Sequence, residues 1–244
     1  MKRLPAILFI AVCTALVASS LFLSVRIYKA VKLAESSKAF SIHPKNATKR
    51  VLIAGDSIGV GTGASDPSRS LAGRIFRDFP FTRIENVSED GARAPDILNQ
   101  ILSAGDGPFD VILIAAGEDD VLFLTDPDTL KSSLLQALHL ASRKAPCVIL
   151  LGTENIGLKP ALFPPIDWFY TSRARKIRDM LILISRETGT EYADPFREKG
   201  AEPFSENPKR YYADDLLHPG SEGYAFRYED LKKQTAFVET MNAR

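Results

Sequence analysis

Between Lys2-Arg3 and Arg26, the chain runs from Leu4 to Val25 without a single charge. Twenty-two helical residues at about 1.5 Å each reach roughly 33 Å, the thickness of a bilayer's hydrocarbon core, so this pattern predicts one membrane-spanning helix. Ala18-Ser19-Ser20 offers small residues at a signal-cleavage spacing, but the apolar run continues through Leu21, Phe22 and Leu23. That continuation favours an uncleaved anchor over a cleaved signal followed by secretion. Basic residues flank both ends, with Arg26, Lys29 and Lys32 on the far side, so the positive-inside rule leaves the orientation open. Residues 29–48, rich in Lys, Ser and Ala, read as a short helical or flexible stalk, a solvated linker whose positive charges could also rest on anionic lipid. The predicted division is therefore 1–28 for an anchor or signal segment, 29–48 for the stalk and 49–244 for one globular domain.

Past the stalk the pattern changes. Arg50 to Gly55, Val111 to Ala116 and Cys147 to Leu151 are short continuous apolar runs, and continuous runs mark strands buried on both faces of a parallel sheet. Two further strands fit Arg83 to Val87 and Thr190 to Ala193. Between them, Asp66-Pro67 precedes Leu71, Ile75 and Phe79, and Asp126-Pro127 precedes Leu130, Leu134, Leu138 and Ala141. Each is a helix start followed by a single apolar stripe. Pro95 opens a third helix through Ile97, Leu98, Ile101 and Leu102. Ala174, Ile177, Leu181 and Ile184 mark a fourth, and a last one follows Ser221. Strands alternating with helices of this length predict a three-layer α/β/α domain around about five parallel strands. Ligands of such sheets bind at the carboxyl ends of the strands, which directs attention to the loops after Gly55, Val87, Ala116, Leu151 and Ala193.

Composition narrows the possibilities. A formal net charge of +1 over 244 residues provides no field that would suit nucleic acid. Two cysteines, Cys13 and Cys147, lie in the anchor and in a core strand, and three histidines are scattered at 43, 139 and 218. Neither a disulfide nor a zinc site is expected.

The candidate chemistry sits at the strand ends. Gly55-Asp56-Ser57-Ile58 follows the first strand, where a turn can present the hydroxyl of Ser57 at the sheet edge. A serine needs a base within reach and a third group to orient that base. Asp215-Leu216-Leu217-His218-Pro219 follows the last strand and supplies both in one turn. His43 falls in the stalk and His139 on a helix, where structural or solvent roles suffice. Taken alone, a Gly-Asp-Ser turn or an Asp near a His is commonplace. They gain force together, because they come from opposite ends of the chain to the same sheet edge.

Over nearly all of residues 50 to 230 the sequence resembles the SGNH/GDSL hydrolase family, most closely its bacterial esterase and lysophospholipase members. The first block resembles Gly55-Asp56-Ser57-Ile58, the second block's glycine looks like Gly91, and the fifth block looks like Asp215 and His218 followed by Pro219-Gly220-Ser221-Glu222-Gly223-Tyr224. The resemblance implies a flavodoxin-like fold and an acyl-enzyme mechanism on small acyl esters, lipid or acylated glycan among them, without metal or cofactor. It also implies an oxyanion hole from the backbone N–H groups of Ser57 and Gly91 and a third donor from the third block. It further implies a domain facing the periplasm or the exterior.

That third block departs from the family. Where members carry Gly-x-Asn-Asp, this chain has Gly117-Glu118-Asp119-Asp120, so an aspartate takes the place of the asparagine donor. An ionised carboxylate only accepts hydrogen bonds and would repel a developing oxyanion. Asp119 therefore either donates as a neutral acid among acidic neighbours, turns away and leaves two backbone donors, or marks a domain that binds without turning over. The expected function is ester hydrolysis; the alternatives are a ligand-binding domain and an acyltransferase that uses the same residues.

Overall fold

A computed structural model describes residues 4–105, 107–201 and 203–243; Lys2, Arg3 and Arg244 lie outside them. In chain order the elements are α1 (Leu4–Ser36), β1 (Lys49–Gly55), α2 (Ser57–Val60), α3 (Leu71–Asp78), β2 (Thr82–Asn86), α4 (Ala94–Ser103) and β3 (Val111–Ala115). They continue as α5 (Glu118–Leu122), α6 (Pro127–Lys144), β4 (Cys147–Leu151), α7 (Ile166–Thr188), β5 (Glu191–Ala193), α8 (Pro208–Tyr211), α9 (Ser221–Gln234) and α10 (Phe237–Asn242).

All five strands pair in parallel, in the order β2-β1-β3-β4-β5. The apolar runs are buried on both faces, as their continuity requires. Leu52, Ala54, Ile112, Ile114, Val148 and Leu150 face α4, α6 and α7, while Val51, Ile53, Val111, Leu113, Ile149 and Leu151 face α3, α9 and α10. Register then aligns the strand ends: Gly55 pairs with Ala115, Ala115 with Leu151, and Leu151 with Ala193. The chain leaves β1 for one side of the sheet and returns as β3 on the other. A crevice therefore opens outside the carboxyl ends of β1 and β3.

Helix starts follow local chemistry. The Asp126 carboxylate accepts from Thr129 N at 3.0 Å above Pro127, and the Ser70 hydroxyl accepts from Gly73 N at 3.2 Å. Each satisfies a backbone donor that the first helical turn would otherwise leave unpaired. Four short helices, α2, α5, α8 and α10, are absent from the periodicity reading, because four to six residues are too few to display a helical stripe.

The N-terminal region, including the start of the 29–48 segment, is helical. Its helix runs unbroken to Ser36, and Cys13–Ser36 is long and apolar enough to cross a membrane or to serve as a signal helix, with a mean hydropathy of 1.3 over an 18-residue stretch. Six residues after Ser36 the chain pairs with the sheet. Ile42 N donates to Ile84 O at 3.0 Å, Ile84 N returns a bond to Ile42 O at 2.9 Å, and Phe40 and Ile42 pack on the core. Two apolar side chains within a polar stretch are enough to seat this segment along the open edge of β2.

Candidate active site

Ser57 begins α2 directly after β1, and Asp56 caps that turn by accepting from Ile58 N at 2.9 Å. Gly91 lies in the loop after β2 with φ of +80°, and a side chain there would project into open space. Its left-handed backbone suits glycine. Asp119 sits in the first turn of α5, after β3. After β5, Leu216 adopts φ of +60°, an uncommon conformation for a leucine. It turns the chain so that the Asp215 and His218 side chains meet, with Nδ1 to Oδ2 at 2.5 Å. The other Asp215 oxygen accepts from Leu217 N and His218 N, both at 3.0 Å. Burial opposes the charge of Asp215, but His218 and these N–H groups outweigh it and hold the carboxyl below its ordinary range.

Ser57, Gly91, Asp119 and His218 line one cleft of about 470 Å³. Asp215 lies buried behind His218. His43 and His139 are exposed elsewhere, so His218 is the histidine at this cleft. Several contacts tie the serine loop to the histidine loop. Tyr224, three residues into α9, donates to Thr62 O at 2.8 Å, and Thr62 Oγ1 donates to Asp90 at 2.6 Å. The Ser65 and Ser221 hydroxyls are 2.9 Å apart. Gly63, with φ of +98°, leaves so little room that a methyl group there would stand 2.3 Å from Pro219 O and 3.0 Å from the His218 Cβ. The two ends of the chain are thus packed together at the site.

The three acids of the third block divide their tasks. Asp120 caps α4, both carboxylate oxygens accepting from Ala94 N at 3.2 Å. Glu118 turns into the protein, where it pairs with Lys159 and lies 3.5 Å from Arg227. Glu154 completes this buried quartet, 3.1 Å from Lys159 and 2.5 Å from Arg227. Burial works against the charges of Glu118 and Lys159, but Lys159 and Arg227 hold Glu118 below its usual range, and Glu118 and Glu154 hold Lys159 above its own. Lys159 Nζ also donates to Leu217 O at 2.6 Å, bracing the residue next to His218.

Asp119 remains in the cleft. Burial, followed by the negative charge of Glu118, raises its carboxyl to about 7, with His218 and Lys159 pulling the other way. Its Oδ2 is buried and has no hydrogen-bond partner. Asp56, deeper still, is raised by burial and by Asp119 and Glu118.

The segment 158–170 spans part of the cleft lining and the start of α7. Lys159, Leu162 and Tyr170 line the cleft, while Ile166 onward forms the start of α7. Lys159, Glu154, Arg227, Asp90 and Tyr224 were not foreseen as parts of the site. A lysine between Leu158 and Leu162 was the one visible sign of a buried charge. Among the described residues no group of three His, Cys, Asp or Glu side chains is arranged to hold a metal ion.

A parallel α/β/α domain that gathers a serine after its first strand and an Asp–His pair after its last into one cleft defines a hydrolase fold of the SGNH type. The family model of GDSL-like lipases and acylhydrolases matches residues 53–226, and the chain belongs to that family. No curated protein matches it by sequence. Among solved structures, it is similar to a lipolytic protein of the G-D-S-L family from Veillonella parvula, at 20% identity and a TM-score of 0.61, covering 78% of this chain and 99% of that one. An extracellular lipase from Streptomyces rimosus matches at 18% identity and a TM-score of 0.54, over 77% of this chain and 100% of that one. A variant of an acetyl xylan esterase from Geobacillus stearothermophilus matches at 18% identity and 0.53, over 81% and 96%. At these identities the likeness speaks to the fold, and the family to ester hydrolysis in general.

Proposed function

We propose that this chain is a serine ester hydrolase held at a membrane by α1, with Ser57 as nucleophile, His218 as proton carrier and Asp215 as its orienting partner. The observation that carries the reading is the Asp215–His218 pair at 2.5 Å in the cleft lined by Ser57, Gly91 and Asp119. The Ser57 oxygen attacks the acyl carbonyl while its proton passes to His218 Nε2, and Asp215 stabilises the imidazolium. The oxyanion is met by the N–H groups of Ser57 and Gly91 and by the proton of a neutral Asp119. Collapse breaks the ester bond, and the leaving alkoxide takes the proton from His218. Water then attacks the acyl-enzyme with His218 again as base, releasing the acid and restoring Ser57. An acceptor hydroxyl in place of water would make the same residues an acyltransferase.

An Asp119 raised to about 7 favours this reading over a binding-only domain, because the carboxyl keeps a donor proton in mildly acidic solution. The domain is assigned to the periplasmic or outer face, which proteolysis of intact cells would verify. The central test is hydrolysis of p-nitrophenyl acetate and butyrate by the full chain in detergent, beside Ser57→Ala. Loss of turnover in the variant is expected; equal rates would remove the enzyme reading and leave the binding domain.

A further inference from the structure

The helix that leads into the domain does not behave as a free tether. Arg26 donates to the carbonyl of Asp214 at 2.8 Å, four residues before His218. At the other end, only residues 37–41 separate α1 from Ile42, which pairs with β2. Held at both points, the second half of α1 lies across the mouth of the cleft.

One stripe of α1, formed by Leu23, Ile27, Ala30, Val31 and Ala34, lines the same cleft as Ser57 and His218. These positions recur at the three- and four-residue spacing that puts side chains on one helical face. Facing them across the cleft are Leu122, Leu162, Tyr170 and Leu217. The apolar lining is uncovered by the protein itself: Ile27 and Val31 are each 50% exposed and Phe123 is 60% exposed. On the elements that carry Phe123 and Tyr170, or just beyond them, Leu124, Trp168 and Phe169 are also more than half exposed. Clustered apolar surface of this kind beside a cleft marks a ligand or lipid contact, and Trp and its neighbours suit the water–lipid boundary. From Leu23 to Ala34 the helix rises roughly 16 Å, a length that suits an extended fatty chain and exceeds what an acetyl group needs.

We propose that this stripe of α1 is a wall of the acyl-binding groove, so that the preferred substrate is a long-chain ester whose alkyl tail lies between α1 and the Leu122–Leu162 side. The inference deepens the hydrolase reading above and rests on it for its kinetic test. It also gives α1 a second role, because the helix that would enter the bilayer is continuous with the groove. A lipid ester at the interface reaches Ser57 with its tail already against apolar surface.

The test uses the full chain in vesicles of a diether phosphatidylcholine, which carries no ester to compete. Burial of each methylene is worth up to about fourfold in kcat/KM, so laurate is expected to exceed acetate by at least about a hundredfold. Ile27→Asn combined with Val31→Asn should lower that ratio tenfold or more. Tyr28→Asn, on an exposed part of the helix outside the cleft lining, should leave it unchanged. Monolaurin embedded in the vesicles, compared with p-nitrophenyl laurate added from solution, separates a membrane lipid from a dissolved ester as the source of the tail. A wild-type preference for acetate, or a double variant with the wild-type ratio, would overturn the inference while the hydrolase reading stood. If no ester is hydrolysed, a dodecyl ether bearing a photoactivatable diazirine still decides the matter on Ser57→Ala. Labelling of the peptide spanning 23–34 supports the groove, and labelling elsewhere alone refutes it.

Discussion

Replacing Asp119 with asparagine alters a single atom of the side chain and converts a titratable donor into a permanent one. With the carboxyl raised to about 7, about nine-tenths of it is neutral at pH 6 and about one-tenth at pH 8. Loss of an oxyanion donor typically costs about 10²–10³ in turnover, so only the neutral fraction contributes appreciably. Asp119→Asn should then match the wild type near pH 6 and exceed it about tenfold at pH 8. Stability supplies a second readout. The folded state keeps the Asp119 proton up to about 7, whereas a free aspartate loses it near 3.8. The unfolded chain releases its proton first, so wild-type stability is fully present below about pH 4 and declines as pH rises to about 7. At about 1.4 kcal/mol per pH unit the total is on the order of 4 kcal/mol. The gain in Tm from the substitution should therefore grow by roughly 5–10 °C between pH 5 and pH 8. A turnover ratio and a Tm difference that both stay constant across this range would refute the assignment of Asp119 as a neutral donor.

Two further substitutions examine how the site is held. Lys159→Met leaves the buried Glu118 and Glu154 facing Arg227 alone, an uncompensated charge that should cost about 3–5 kcal/mol in denaturant unfolding; a change below about 1 kcal/mol would mean that the quartet is not electrostatically closed. Gly63→Ala places a methyl group 2.3 Å from Pro219 O at a backbone angle that disfavours it, a strain of about 1–3 kcal/mol. It should reduce kcat at least tenfold while the circular dichroism spectrum is retained, and an unchanged kcat would show that the serine and histidine loops are not joined through this contact.

Much of the architecture was legible because it rests on short-range rules. Val111 to Ala115 and Cys147 to Leu151 are apolar without alternation, which already says that both faces are covered. Asp126-Pro127 announces α6, and Asp215 three residues before His218 places both in one turn. What stayed hidden was decided by partners distant in sequence. Nothing near Glu118 or Asp120 reveals that one would meet Lys159 and Arg227 and the other would cap α4. The stalk looked polar and solvated because its composition was averaged, although Phe40 and Ile42 alone suffice to bind the edge of β2.

By itself, the amino-acid order determined the strands, the longer helices, the apolar N-terminal run and the candidate residues for ester chemistry, since periodicity and turn chemistry act over a few neighbours. Only the tertiary structure decided that α1 lies along the cleft, that Asp119 is the acid left free in it, and that burial and Glu118 raise it to about 7. The physical reason is the same in each case. Solvent exclusion and the net effect of charges depend on which distant segments pack together, and a linear pattern does not contain that distance.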